Sequence, residues 1–480
     1  MPGLLDATPA LLDARAVHAR WSKVNCEYLD YVERTPACLQ RSSYPNLYRD
    51  PSLRVFSIQP WPFFVDSARY REVGEVAVGM DRLLRSVIER FLRNDPREVA
   101  RFYGSNDDRP PEAPEVNEAL VMVVAEEPSG VAGAPARADY VETARGLRMV
   151  EYNAGGTLGG LQTDAVAGQY LASPLTARFL SEQNLRVRPP QILQLLFLHL
   201  VEDTVRMGAW TEGELNVAVV VRPAEPPRVA VHSVDAYNRH LRAALRACGV
   251  QGGGRVFLCD ADDLVLDGNW IRLHGHRVHA VIEQHDGSAD LRATFRAFKM
   301  GGVNLYSGPI AWLINDKRNL VLISEHADSD EFTAAERALI EAHLPWTRRA
   351  LPQRTTFRRR PFRIPEDLVE HREEMVLKKA SSVGGRQVVV GRFLADAQWE
   401  RAIARALSEE DWVVQEYEEG LPFCFQSEAG VVRHDMIWGL FTFGGRFGGA
   451  YLRLAPVGRA GGRVNGCQGA DVGAALEVIG

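Results

Sequence analysis

Apolar and polar positions along the chain follow several registers, and the places where the register changes outline its organisation. Residues 76–92 carry apolar side chains every three to four positions, which predicts an amphipathic helix, and a proline- and aromatic-rich segment at 58–65 (IQPWPFFV) precedes it. A polar, proline-rich stretch at 105–114 is followed by 120–125 (LVMVVA), a short apolar run bounded by turn formers that predicts a buried strand. Residues 216–221 (NVAVVV), a helical pattern over 234–248, and 255–260 (RVFLCD) predict a strand, helix, strand unit. Such a crossover makes its two strands parallel. Strands are next expected at 264–266, 270–273 and 278–284, joined by tight turns in which Asp267-Gly268 supplies positive φ. Helical patterns follow over 291–299, 309–324 and 333–342. Further on, strands are predicted at 374–379, 387–391, 412–418, 431–441 and 447–455, with a helix over 396–407. No internal repeat of fixed period is present.

The chain has 480 residues, enough for two to four domains and a closed site. With 46% hydrophobic and 25% charged residues it has the composition of a globular protein, which excludes a disordered or fibrous chain. Its net charge of -6 offers no global attraction to nucleic acid or anionic lipid, so neither is expected as a partner. Six cysteines, at 26, 38, 248, 259, 424 and 467, form no CxxC pair and read as mostly buried thiols in a reducing compartment. The longest apolar run, 192–201 (ILQLLFLHLV), is about half a membrane span. Acidic residues at 6 and 13 stand where a signal peptide would be apolar. A cytoplasmic location is expected.

Two segments offer chemistry. In 375–392 (MVLKKASSVGGRQVVVGR) an apolar strand delivers Lys378, a turn containing Gly384 and Gly385 follows, and a second strand returns. Glycines let backbone N–H groups approach a polyphosphate, and a strand lysine adds fixed positive charge. An ordinary hairpin with a solvated lysine gives the same pattern. The strand of 413–423 (VVQEYEEGLPF) ends in Gln415-Glu416-Tyr417, where backbone groups could meet an adenine edge or simply enter a turn. In 136–157 (ARADYVETARGLRMVEYNAGGT), Glu151 and Asn153 lie two apart on an expected strand over 147–153 and so share a face. With Asp139 they form an oxygen set of the kind magnesium accepts beside phosphates. The alternative is an edge strand with a polar outer face.

Taken in order, these segments resemble a known family. Arg137-x-Asp139 followed by Glu151-Tyr152-Asn153-Ala154 is similar to the magnesium-binding signature of the glutathionylspermidine synthase family, a circularly permuted branch of the ATP-grasp ligases. Later elements follow in the same order: Asn315-Asp316-Lys317; Leu377-Lys378 with its glycine turn; Gln415 with Leu421-Pro422; Gly439-Leu440-Phe441; and Gly448 to Arg453. The resemblance spans about 340 residues as a set of short motifs. It implies an α+β or α/β protein with an ATP-grasp-like, circularly permuted core and a nucleotide cleft between two α/β lobes. To this core it adds a Rossmann-like pre-ATP-grasp unit and a helical N-terminal region. The segments expected on this basis are 1–115 (helical), 116–215 (metal-binding), 216–330 (Rossmann-like) and 331–480 (ATP-binding lobe and C-terminal part).

The implied activity is ATP-dependent ligation of a small-molecule or peptide carboxylate to an amine through an acylphosphate, with ATP and Mg2+ required. Carried over residue by residue, Asp139, Glu151 and Asn153 would hold magnesium. Lys317, Lys378, Gly384 and Gly385 would take the phosphates, and Gln415, Glu416 and Tyr417 the adenine. Arg137 and Arg453 would stabilise charge on the transferring phosphoryl group. This sequence departs from the family at Gly155-Gly156-Thr157, where Asp-Thr is usual, and at Lys379, where a proline often follows the phosphate lysine. Strand alternation turns only one of Lys378 and Lys379 inward, and Lys378 is the expected one.

Other readings compete. A non-catalytic nucleotide-binding relative and a carboxylate kinase use the same residues. His274, His276 and His279 suggest a metal site, but their glycine turn favours a surface hairpin. Seven arginines within 347–363, interleaved with prolines, are expected to form a solvated linker marking a boundary, or a patch admitting an anionic substrate. No P-loop, GxSxG or HExxH motif is present, and no Cys/His amidase arrangement is evident near the N-terminus.

Overall fold

The computed structural model describes residues 9–35, 42–45, 55–93, 95–103, 134–156, 158–221, 227–284, 292–306, 313–381, 387–427, 430–458, 464–465 and 469–479. The strand expected at 120–125 and the turn glycines Gly384 and Gly385 lie outside them. Among the described residues the largest sheet has ten strands. Its path runs Ser42–Pro45, Val55–Ile58, Asp471–Val478, Arg446–Pro456, Gly430–Phe443, Ala136–Thr143, Gly146–Ala154. Phe63–Asp66 and Val187–Arg188 also pair with Asp471–Val478, and Phe423–Ser427 pairs with Gly430–Phe443. Sequence reading expected helices in the first hundred residues and found none of the three strands within 42–66. Each is only four residues long, too short for a two-residue period to stand out.

Alternation divides the sheet into two unlike faces. Met436, Trp438 and Leu440 are buried on one side, whereas Asp435 and Ile437 between them are partly open. Helices Pro9–Trp21 and Ser67–Arg85 lie on the buried side. The longer helix buries Val73, Ala77, Met80, Leu83 and Leu84, three and four residues apart, as one apolar stripe. Trp21 stacks on Trp438 at 3.8 Å, with Phe63 edge-on to Trp438 at 5.4 Å. The single helix expected over 76–92 is divided at Ser86, whose hydroxyl donates to Leu83 O at 2.7 Å, before Val87–Leu92. A serine bonded to its own preceding turn competes with the helical backbone.

A second sheet contains the expected crossover. Val217–Val220 runs parallel to Val256–Cys259 and to Ala280–Glu283, with Asn304–Leu305 parallel at the edge. Helix Pro227–Ala247 connects the first two. The segment expected as one strand over 278–284 is two: His276–Val278 closes a small meander and Ala280–Glu283 enters the parallel sheet. Between them His279 is buried, and its Nδ1 accepts from Asn216 N at 3.1 Å. Burial depresses its pKa to about 4, so this histidine is a neutral structural tie between sheet and meander. Helix Ile192–Arg206 contains the longest apolar run. No helix among the described residues is long and apolar enough to cross a membrane.

The third sheet, Thr347–Arg349, Trp412–Glu416, Met375–Lys379 and Val388–Val390, is antiparallel and has its own core. Met375, Leu377, Trp412 and Val414 pack there against Trp399, Ile403 and Ala406 of helix Asp396–Glu409. The arginine-rich segment belongs to this lobe, which overturns the linker reading. Hairpin strands Gln353–Phe357 and Arg360–Ile364 bury Phe357, Phe362 and Ile364 and turn intervening arginines outward. Their two-residue turn, Arg358-Arg359, has positive φ at both positions, as a tight hairpin requires. Among the described residues Cys26, Cys248, Cys259 and Cys424 are free thiols.

Trp438 contributes to packing on the face away from the polar cluster described below. We therefore expect Trp438→Ala to lower stability by about 3–5 kcal/mol in denaturant unfolding. A loss below about 1 kcal/mol would show that the Trp21–Trp438 stack is not a core element.

Candidate active site

The open face of the ten-stranded sheet gathers the polar residues singled out in the sequence. Antiparallel register sets Arg137 opposite Asn153 and Asp139 opposite Glu151. Asp139 is also opposite Gly439, and Gly439 opposite Tyr451, two residues before Arg453. Residues paired across antiparallel strands share a face, so five of the expected side chains converge on one surface.

Asp139 is the centre of this group. Arg137 Nε donates to its Oδ1 at 2.9 Å and Arg137 Nη2 to its Oδ2 at 3.2 Å. Arg453 Nη2 lies 2.7 Å from Oδ2 as an ion pair without hydrogen-bond geometry, and Asn153 Nδ2 donates to Oδ2 at 3.4 Å. Burial works against its charge, yet the two guanidinium groups hold the Asp139 carboxyl below the usual range. Arg137 Nη1 also donates to Gly159 O at 2.5 Å. A Cβ on Gly439 would lie 2.8 Å from Arg137 Cδ, so the absence of a side chain there lets Arg137 cross the neighbouring strand.

The second lobe meets this face through Lys378. The register passes from Asp139 opposite Glu151 to Tyr140 opposite Met149 and leaves Val150 as the extra residue of a β-bulge. Its carbonyl, taken out of the ladder, accepts from Lys378 Nζ at 2.6 Å; a second Nζ donor goes to Gln415 Oε1 at 2.6 Å. Lys379, one residue on, lies 3.4 Å from Asp411. Alternation thus separates the two lysines, and Lys378 is the one directed at the cluster. Lys317 lies 3.2 Å from Glu151, its amide N–H donating to Ala380 O at 2.9 Å at the end of the Lys378 strand. Asn315 fixes the end of the Glu151 strand, accepting from Ala154 N and donating to Ala154 O at 2.9 Å.

Gln415 joins the cluster through Lys378, whereas Glu416 and Tyr417 are engaged elsewhere. Glu416 Oε1 accepts from Arg358 Nη2 at 2.9 Å. The amide N–H groups of Glu416 and Tyr417 donate to Trp346 O and Glu374 O. These two N–H groups are therefore committed, and an adenine edge would need other groups at this strand end. Arg148 and Glu418, which carry no motif in the sequence, form a buried ion pair at 2.9 Å between the ten-stranded sheet and the connection that leaves the third sheet after Glu416. Tyr451 falls within the 448–453 motif. Its ring lies 5.9 Å from the Arg137 guanidinium and 5.8 Å from that of Arg453.

Among the described residues, Arg137, Arg453, Lys317 and Lys378 are grouped with two carboxylates, Asp139 and Glu151. This surplus of buried positive charge suits a polyphosphate anion. The oxygens of Asp139, Glu151 and Asn153 are the donor type magnesium accepts when phosphates complete its shell. Among the described residues no group of three or more His, Cys, Asp or Glu side chains forms a ready metal centre.

No family model matches the chain, and no curated protein matches it in sequence. Among solved structures, it is similar to a glutathione synthetase like-effector from Globodera pallida in its apo form, at 13% identity and a TM-score of 0.55, over 95% of this chain and 97% of that one. The two share a fold. D-alanyl-alanine synthetase A from Vibrio cholerae O1 biovar eltor is matched over 52% of this chain and 69% of its own, at 12% identity and a TM-score of 0.23, too low to carry an argument. The expected mixed α/β architecture with several sheets holds in this coarse form.

Burial pushes the Lys378 ammonium down to about 8, with Glu151 raising it and Lys317 lowering it. It is therefore charged below about pH 8 and neutral above. We expect lysine-selective NMR to place its midpoint there, Glu151→Gln to move it down and Lys317→Met to move it up. A midpoint near the ordinary value of about 10.4, unmoved by either variant, would contradict this electrostatic arrangement.

Proposed function

We propose that the protein is an ATP-dependent carboxylate-amine ligase of the circularly permuted ATP-grasp type, resembling the glutathionylspermidine synthase family. The observation that carries this reading is the convergence of Lys378 with Asp139, Glu151 and Arg453 from strands far apart in sequence. The shared fold with a protein described as glutathione synthetase-like supports it. In this reading 116–215 supplies the metal-binding part and 331–480 the ATP-binding lobe. Residues 216–330 are the Rossmann-like unit beside the core, 1–115 is the N-terminal region, and the protein works in the cytoplasm.

Asp139, Glu151 and Asn153 hold magnesium, which when bound draws charge from the phosphate oxygens. Lys317 and Lys378 bind the β- and γ-phosphates, helped by backbone N–H groups at Gly384 and Gly385. Two of the three N–H donors of Lys378 are used within the protein, which leaves one for a phosphate oxygen. Gln415, Glu416 and Tyr417 border the adenine end, and the adenine takes its hydrogen bonds from other groups there because the Glu416 and Tyr417 amides are already bonded within the protein. A carboxylate oxygen of the acid attacks the γ-phosphorus and the bond to ADP breaks. The amine nitrogen then attacks the acyl carbon, the carbon–oxygen bond to phosphate breaks, and the nitrogen loses a proton as the amide forms. Arg137 and Arg453 are fixed in place before either step, so they stabilise the developing negative charge without reorganisation.

The ligase releases ADP and phosphate only when an acid and an amine are both present. A carboxylate kinase needs the acid alone, and a nucleotide-binding relative releases none. Screening acid and amine pools for ADP, with mass spectrometry of products, separates the three. Glu151→Ala should abolish release while circular dichroism shows the fold intact; loss of the partner of buried Lys317 should lower stability by about 1–3 kcal/mol in denaturant unfolding. Wild-type turnover in that variant would remove Glu151 from the metal site.

A further inference from the structure

Tyr451 is nearly fully buried, yet it sits among the charged groups of the cluster. Its ring occupies a slot cleared by two glycines. A Cβ on Gly160, where φ is +100°, would lie 2.6 Å from Tyr451 Cδ1, and one on Gly439 would lie 3.3 Å from the same atom. The Arg137 and Arg453 guanidinium carbons are 5.9 and 5.8 Å from the ring centroid, within the range of cation–π attraction. A β-carbon at Gly160 would overlap the ring, whereas one at Gly439 would crowd it only slightly and would clash with Arg137 instead.

The two arginines differ in how firmly they are otherwise held. Arg137 has directed bonds to Asp139 and to Gly159 O. Arg453 has an ion pair to Asp139 without hydrogen-bond geometry, and its buried Nε has no hydrogen-bond partner among the described residues. Beside the Asp139 ion pair, the aromatic ring is a second contact that bears on the direction of Arg453. Because the same ring touches Gly160, it also links both arginines to the 159–160 turn that Arg137 grips.

We propose that Tyr451 is a positioning residue that holds Arg137 and Arg453 as one preorganised anion-binding pair through its ring. The hydroxyl is not needed for this, and the volume of the side chain alone does not suffice. The inference rests on the polyphosphate reading of the site. Its role is to fix where two guanidinium groups point, which matters for charge stabilisation at separations of a few ångström.

The test uses the full chain and calorimetric titration with inorganic tripolyphosphate plus magnesium. Tyr451→Phe should bind within about twofold of wild type, whereas Tyr451→Leu should bind at least about tenfold more weakly with circular dichroism unchanged. Tyr451→Met is the second non-aromatic variant should the leucine variant not fold. Wild-type affinity in the non-aromatic variants would overturn the proposal and leave the polyphosphate site standing. Equal loss in Tyr451→Phe would overturn it by assigning the effect to the hydroxyl. Failure of wild type to bind tripolyphosphate would overturn the polyphosphate reading and this inference together.

Discussion

A lysine ammonium buried between two packed lobes is the constraint on which the arrangement depends. Lys378 leaves a strand of the third sheet and ends on the carbonyl of Val150, the extra residue of a bulge in the ten-stranded sheet. Burial of an ammonium is costly unless hydrogen bonds and nearby negative charge compensate it. Val150 O and Gln415 provide the bonds, and Glu151 and Asp139 provide the field. The two lobes have separate hydrophobic cores, so the seam between them is defined by polar contacts such as Lys378 with Val150 and Arg148 with Glu418.

The ten-stranded sheet supplies the rigid half. Its helix-covered face carries the aromatic packing of Trp21, Phe63 and Trp438, and its open face carries Arg137, Asp139, Glu151, Asn153 and Arg453. Strict alternation lets neighbouring residues do opposite work: Tyr152 donates to Asp81 beneath the sheet at 2.5 Å, while Glu151 and Asn153 on either side face the cluster. Side chains held on adjacent strands lose little freedom on binding, which favours a preorganised electrostatic site.

Much of this was legible in the sequence because it depends on short-range periodicity. The two-residue spacings of Arg137 with Asp139 and Glu151 with Asn153 set their common face, and the adjacent Lys378 and Lys379 had to point apart. The crossover of 216–260 followed from apolar runs flanking a helical repeat. Other features depend on long-range pairing that no local pattern carries. Of the four-residue strands within 42–66, Val55–Ile58 and Phe63–Asp66 pair with Asp471–Val478, and Ser42–Pro45 pairs with Val55–Ile58. The bulge at Val150 depends on its partner strand, and the arginine-rich hairpin is ordered by Phe357, Phe362 and Ile364 rather than by its arginines. Tyr451 lay within the 448–453 motif, but its place between Gly439 across the hairpin and the distant Gly160 is set by pairing that no local pattern carries.

A crystal structure with magnesium and a non-hydrolysable ATP analogue addresses the central claim most directly. The triphosphate is expected between the lobes, with oxygens in hydrogen-bond reach of Lys378 Nζ and Arg453 and with the metal on Glu151. A nucleotide seated elsewhere, with Lys378 still closed on Val150 and Gln415, would contradict it.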